Sequence, residues 1–152
     1  MTRTRRIGWT LLLTLLAVNL AACASMGGSD AGPSLYKRLG GREGISLVVG
    51  DFVGNMAQDS RVNARFKDLK PADIYKFKSN LADQICDATG GPCSYLGKDM
   101  KTAHKNMNIT EAEWNATVEN LGKALTKQGV PAKEQGELVK LLAPMKPDIV
   151  GQ

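Results

Sequence analysis

An all-helical domain is the fold class this sequence predicts, and three observations carry that expectation. Apolar residues recur at helical spacing in several stretches, and no run alternates with the period of two that marks a strand. Those stretches are punctuated by turn and cap signals: Gly40-Gly41, Gly90-Gly91-Pro92, Thr110-Glu111-Ala112-Glu113 and Gly129-Val130-Pro131. Aromatic residues make up only 5% of a chain that is 43% hydrophobic and 23% charged, so a core would be mostly Leu, Val, Ile, Ala and Met. That balance is globular, and 152 residues suffice for one domain and a tail.

The first element is a leader. Arg3, Arg5 and Arg6 precede an apolar run, Ile7 to Ala22, which is too short for an ordinary membrane span and ends in small residues. Residues 1–22 therefore read as an export signal. Leu20-Ala21-Ala22-Cys23 resembles the bacterial lipoprotein box, which implies cleavage before Cys23 and its acylation. Several acyl chains would hold the protein firmly, where one would not. Ala24 in place of an aspartate lacks the look of an inner-membrane retention signal, so the expected address is the periplasmic face of the outer membrane. Residues 23–34 complete a lipidated, Gly/Ser/Pro-rich tether, and 35–152 form the domain. The net charge of +5 owes three charges to the leader. The remaining 17 basic and 15 acidic side chains give little ground for nucleic-acid binding.

Within the domain, Ile45, Val48, Val49, Phe52, Val53 and Met56 place one wide apolar stripe on a helix after the Gly40-Gly41 break. Pro71 suits the first turn of a second helix, which continues through Ile74, Phe77, Leu81 and Ile85 and stops at Gly90-Gly91-Pro92. A short helix spans about Lys98 to Lys105. The capping box at Thr110 opens a helix with Trp114, Val118, Leu121 and Leu125 on one face. Gly129 ends it, and Pro131 can start the last helix, with Leu138, Leu141, Leu142 and Met145, weakened at its end by Pro144 and Pro147.

Few residues could carry chemistry. His104 is the single histidine and shares a face with Met100, Ala103 and Met107. No cysteine or histidine cluster surrounds it, so a zinc site is not indicated. Two readings stay open: a satisfied, half-buried histidine, or an axial ligand, since one imidazole nitrogen can bind haem iron where the wall is apolar. The absence of Gly-x-x-x-x-Gly-Lys and Gly-x-Ser-x-Gly removes the common nucleotidase and hydrolase signatures. Cys86 and Cys93 flank the Gly90-Gly91-Pro92 turn. An exported compartment permits a disulfide between them, with two buried thiols as the other reading.

Four motifs in order resemble the group I truncated haemoglobins: Leu35-Tyr36-Lys37-Arg38-Leu39-Gly40-Gly41; Gly90-Gly91-Pro92 with Tyr95-Leu96-Gly97; Asp99-Met100-Lys101-Thr102-Ala103-His104 with Ile109-Thr110; and Gly129-Val130-Pro131. The match runs from Leu35 to Val150. It implies a two-over-two helical sandwich around haem b, with His104 as proximal iron ligand. It also implies that Phe66 wedges against the haem and that Phe52 is the distal phenylalanine. Phe77, Leu81 and Ile85 would face the distal pocket, while Met100, Ile109, Trp114 and Val118 would line the proximal and inner walls. Tyr95 and nearby lysines would reach the propionates. For every lining residue, plain core packing is the alternative.

Two departures from the family pattern bear on function. A tyrosine common after the distal phenylalanine is Val53 here, and a glutamine common further along is Leu81. Gln84, one turn on, is the polar candidate to compensate, or else a solvent-facing glutamine. The resemblance implies reversible binding of a diatomic gas, with oxygen as the expectation and nitric oxide or carbon monoxide as other ligands. The alternatives are nitric oxide dioxygenation, a redox or peroxide-linked role, and a helical interaction lipoprotein without haem. Dioxygenation would need an outside reductase, because this sequence shows no flavin or nicotinamide module.

Overall fold

All six residues of the first stripe, Ile45 through Met56, are buried on α2 (Gly41–Gln58), the longest-reaching element of the core. In this computed structural model the described residues are 32–152, so the leader, Cys23 and most of the tether lie outside them. Ser34 is the N-cap of α1 (Leu35–Arg38). Arg38 donates back to the Pro33 carbonyl at 3.2 Å and pairs with Glu134 at 2.7 Å and with Glu137. These bonds fasten the entry of the chain to the helix near its end.

α3 (Pro71–Ala88) opens with Pro71 in its first turn, as its fixed φ and missing N–H favour. α4 (Met100–His104) is shorter than the 98–105 span predicted, because Asp99 caps it by accepting from the Thr102 amide at 2.9 Å. α5 (Glu111–Lys127) carries the complete capping box: Thr110 accepts from the Glu113 amide, and Glu113 accepts from the Thr110 amide. α6 (Ala132–Leu142) begins one residue after Pro131, and beyond Leu142 the chain tightens into a 3-10 turn over Ala143–Asp148 that accommodates Pro144 and Pro147. A second 3-10 turn, Asn63–Arg65, precedes α3.

α2 packs against both α3 and α5, α5 against α6, and α4 against the C-terminal 3-10 turn. Leu125 and Leu138 fill the core between α5 and α6 with essentially no exposure. Among the described residues no strand forms, and the one β-bridge joins Ile109 to Val150. The Gly151 amide donates to the Ile109 carbonyl at 2.9 Å there, so the C-terminus clasps the loop that follows α4. No helix among the described residues is long and apolar enough to cross a membrane.

Cys86 and Cys93 are joined by a disulfide, with Cα atoms 5.8 Å apart. Gly91 sits beneath it. A Cβ there would lie 2.5 Å from Cys86 Sγ, 2.6 Å from the Tyr36 ring and 2.8 Å from the Cys86 carbonyl oxygen. Only a residue without a side chain lets the turn fold this closely against α3. Arg42 lies over the bridge, close to Cys93 Sγ and paired with Asp83.

Candidate functional site

The second stripe behaves unlike the first. On α3 only Ala82, Ile85 and Cys86 are buried. Ile74 and Leu81 stay partly covered and Phe77 is 36% exposed, although periodicity alone predicts that this whole face is core. Phe66, in the approach to α3, meets Phe77 with ring centroids 6.0 Å apart in a tilted pair. Phe52 and Val53 of α2 are buried in the hydrophobic core, against which Phe66 packs. The helix thus presents a wall of apolar side chains that the protein itself only half covers.

α4 brings His104 to the site. Its Nδ1 lies 2.8 Å from the Met100 carbonyl oxygen. A carbonyl only accepts, so Nδ1 carries the proton and donates, and Nε2 keeps its lone pair. A backbone anchor of this kind fixes both tautomer and ring orientation, as metal-ligating histidines require. The imidazole is half-buried, and Met100, Met107, Ile109, Trp114 and Val118 are all partly covered. This set fits haem: one imidazole nitrogen presented without a partner, and apolar side chains left incompletely buried on the same and the following elements. Among the described residues there is no cluster of three histidine, cysteine or carboxylate side chains to hold a different metal.

The loop behind His104 is held from two sides. Asn106 and Asn108 adopt left-handed φ of 64° and 48°, which asparagine tolerates better than most residues. Arg65 donates to the Met107 carbonyl at 2.8 Å and forms a two-bonded pair with Glu113. The Arg65 guanidinium, with help from Thr110, pulls the Glu113 carboxyl down to about 2. Glu113 therefore serves two purposes: it caps α5 and anchors the arginine that braces the histidine loop. Periodicity could not reveal Arg65, because its partners are 42 and 48 residues away.

Two further predicted site residues are placed differently from expectation. Gln84 is neither solvent-facing nor free: its amide nitrogen lies 3.4 Å from Met100 Sδ and 3.5 Å from Met145 Sδ, and so ties α3 to α4 and to the C-terminal turn. Tyr95 folds over Gly97, and its hydroxyl donates to the Lys98 carbonyl at 2.7 Å. Burial, with the Asp99 carboxylate beside it, raises the pKa of that phenol above its ordinary value.

The comparisons with known proteins agree with this geometry. Residues 34–150 match the family described as bacterial-like globin. The chain belongs to that family. Within it the chain is similar to group 1 truncated haemoglobins: 30% identical over 116 residues to one from Mycolicibacterium paratuberculosis, covering 76% of this chain and 83% of that one. It is also 30% identical to one from Tetrahymena thermophila, covering 79% of this chain and 97% of the relative. A crystal structure of the Tetrahymena pyriformis truncated haemoglobin in its Fe(III) form superposes with a TM-score of 0.74 at 30% identity, covering 79% of this chain and all of that one. This truncated haemoglobin is accordingly an all-helical two-over-two globin that uses haem b and binds a diatomic gas.

Proposed function

We propose that this truncated haemoglobin binds a diatomic gas reversibly opposite His104, in a pocket whose distal wall is apolar, while tethered through Cys23 to the periplasmic face of the outer membrane. The observation that carries the reading is the bond from His104 Nδ1 to the Met100 carbonyl, which reserves Nε2 for iron. Haem, when bound, would supply the ferrous iron at which the gas is taken up. The chain supplies the rest. Phe52, Val53, Phe77 and Leu81 exclude water and offer no hydrogen-bond donor. Gln84 is turned toward Met100 and Met145, so it lends that wall no polarity. A wall without donors favours ligands that need none, such as carbon monoxide and nitric oxide, and holds dioxygen for a shorter time.

Absorption spectra of the full chain test this reading. Oxidised, reduced and carbon monoxide forms should show a Soret band that shifts on reduction and again with the gas, and the shift should vanish in His104→Ala. A folded wild-type chain that takes up no haem would overturn it. The tether is tested separately: Cys23→Ser should release the protein into the soluble periplasmic fraction, and unchanged membrane fractionation would remove the lipid anchor from the account. Nitrate formed in step with nitric oxide consumption would shift the function from carriage to dioxygenation.

A further inference from the structure

Charge is unevenly spread over this molecule. The stretches 67–78 and 98–105 contain seven lysines (Lys67, Lys70, Lys76, Lys78, Lys98, Lys101 and Lys105) against three carboxylates, Asp68, Asp73 and Asp99. Together they carry +4, whereas the rest of residues 32–152 has ten basic and eleven acidic side chains. Of the three carboxylates, Asp73 accepts from the Lys70 amide and Asp99 from the Thr102 amide, so two are engaged as helix caps. Among the described residues none of the seven lysines forms an ion pair. All nine ion pairs instead use Arg38, Arg42, Arg61, Arg65, Lys123, Lys127 and Lys146. Six of the seven free lysines are exposed, and Lys78 is partly so.

These two stretches are the ones that flank the haem site. The first runs into α3 and includes Phe77; the second is α4 with its flanks and includes His104. Arg65, just before the first stretch, holds Met107, just after the second, so the two basic segments meet at that edge. Apolar side chains stand among the lysines: Tyr75 is 76% exposed, Leu96 92% and Leu69 38%. Exposed apolar side chains interspersed with unpaired like charges suit a transient protein interface, with the charges steering encounter and the apolar side chains seating it.

The geometry points to a docking face here for an acidic one-electron donor protein that returns the haem iron from ferric to ferrous. This rests on the gas-binding reading, because dioxygen and carbon monoxide bind only the ferrous state. The balance is simple: the donor loses one electron, the iron gains it, and no bond forms or breaks. The chain offers no flavin or nicotinamide motif of its own, and a donor protein with a carboxylate-rich face complements the unpaired lysines. A small interface of this kind is weak and salt-sensitive, as electron-transfer encounters are.

The test uses a plant-type [2Fe–2S] ferredoxin, an acidic one-electron donor, as the probe. Stopped-flow reduction of the ferric full-chain protein should slow steeply with added salt. It should fall at least about 10-fold at low salt in Lys67→Glu/Lys70→Glu/Lys76→Glu, within the range electrostatic steering supplies. Reduction by dithionite should be unchanged in that variant, and Lys133→Glu/Lys140→Glu on α6 should behave as wild type with ferredoxin. A binding readout accompanies the rates: ferredoxin should shift amide resonances of the two basic stretches in the haem-free protein as well. Rates indifferent to salt and to the triple reversal would overturn the proposal. So would binding to vesicles containing anionic phosphatidylglycerol with no saturable response to ferredoxin, which would make the face a membrane-contacting one. A protein without a Soret band would instead fail the gas-binding reading, and the two failures cannot be confused.

Discussion

α2 and α3 are both 18 residues long, and both carry an apolar stripe that the sequence displays plainly. On α2 every stripe residue from Ile45 to Met56 is buried by protein. On α3 Ile85 joins the core, but Ile74, Phe77 and Leu81 are left partly uncovered. A stripe at helical period reports that a helix face seeks an apolar partner; it does not report what the partner is. α2 finds α3 and α5. In the function proposed above, the outer part of α3 faces the haem that the family uses, and a cofactor rather than another helix would complete its stripe.

The largest effect should come from the group proposed to hold that cofactor. His104→Ala removes the only imidazole in the chain. Loss of a partner that merely orients a metal ligand weakens binding about 10–100-fold, so loss of the ligand itself should exceed that. Transfer of haem to an apomyoglobin acceptor, followed at the Soret band, measures it. Retention equal to wild type would mean that the half-covered face of α3 alone holds the haem.

The contrast between the helices is tested directly by a pair of truncations. Ile45→Ala on α2, at 2% exposure, should lower the stability of the haem-free protein by about 2–5 kcal/mol in urea titration. Phe77→Ala on α3 should cost the haem-free protein less than Ile45→Ala does, about 1 kcal/mol, because Phe77 is already 36% exposed and lies outside the buried core. In the haem-loaded protein the same Phe77 change should accelerate haem loss. Equal costs in the haem-free protein would show that the α3 face is ordinary core, and the distinction between the two helices would collapse.

A smaller loss is expected where α3 ends. The Cys86–Cys93 bridge closes a short loop with a sequence separation of 7, for which loop-closure entropy gives about 2–3 kcal/mol. Cys86→Ser/Cys93→Ser should lower the thermal midpoint accordingly, while Ile45→Ala in that background should keep its full cost. Addition of a reducing agent should lower the wild-type midpoint to that of the double variant. An unchanged midpoint on reduction would mean that Gly91 packing and the Arg42–Asp83 pair hold the turn without the bridge.

Much of this architecture is legible in the sequence because it is written in local signals. The α5 capping box, Pro71 in the first turn of α3 and Gly129 after α5 act within one turn of chain, and the structure has each in place. His104 could be singled out as the only imidazole, but its tautomer depends on the Met100 carbonyl, which only folded geometry supplies. Gln84 shows the limit clearly. A glutamine on an amphipathic helix reads as solvent-facing or pocket-facing, whereas its amide meets the thioethers of Met100 and Met145, one of them 61 residues away. Arg65 is invisible for the same reason: its partners belong to a loop and a cap that fold up against it from far along the chain.

That arginine gives the smallest effect and tests the support behind His104. Glu113 holds its proton only below about 2 in the folded protein, against an ordinary value of 4.5, chiefly because the Arg65 guanidinium bonds its carboxylate. A carboxyl with a depressed folded value contributes stability in full above its unfolded value. The contribution fades as the pH falls from about 4.5 toward 2, where both states become protonated. The pair is partly solvated, with Arg65 34% exposed, so its worth at neutral pH is about 1 kcal/mol, well below the full electrostatic value. Glu113→Gln keeps the side-chain length and an oxygen for capping but removes the charge. Urea titrations should therefore show a gap of about that size between wild type and variant at pH 7, narrowing through pH 3 and closing by pH 2. A gap that persisted at pH 2 would mean that shape and not charge links the two elements. A gap absent at pH 7 would leave the histidine loop to its clasp by the C-terminus, through the Gly151 amide and the Ile109 carbonyl.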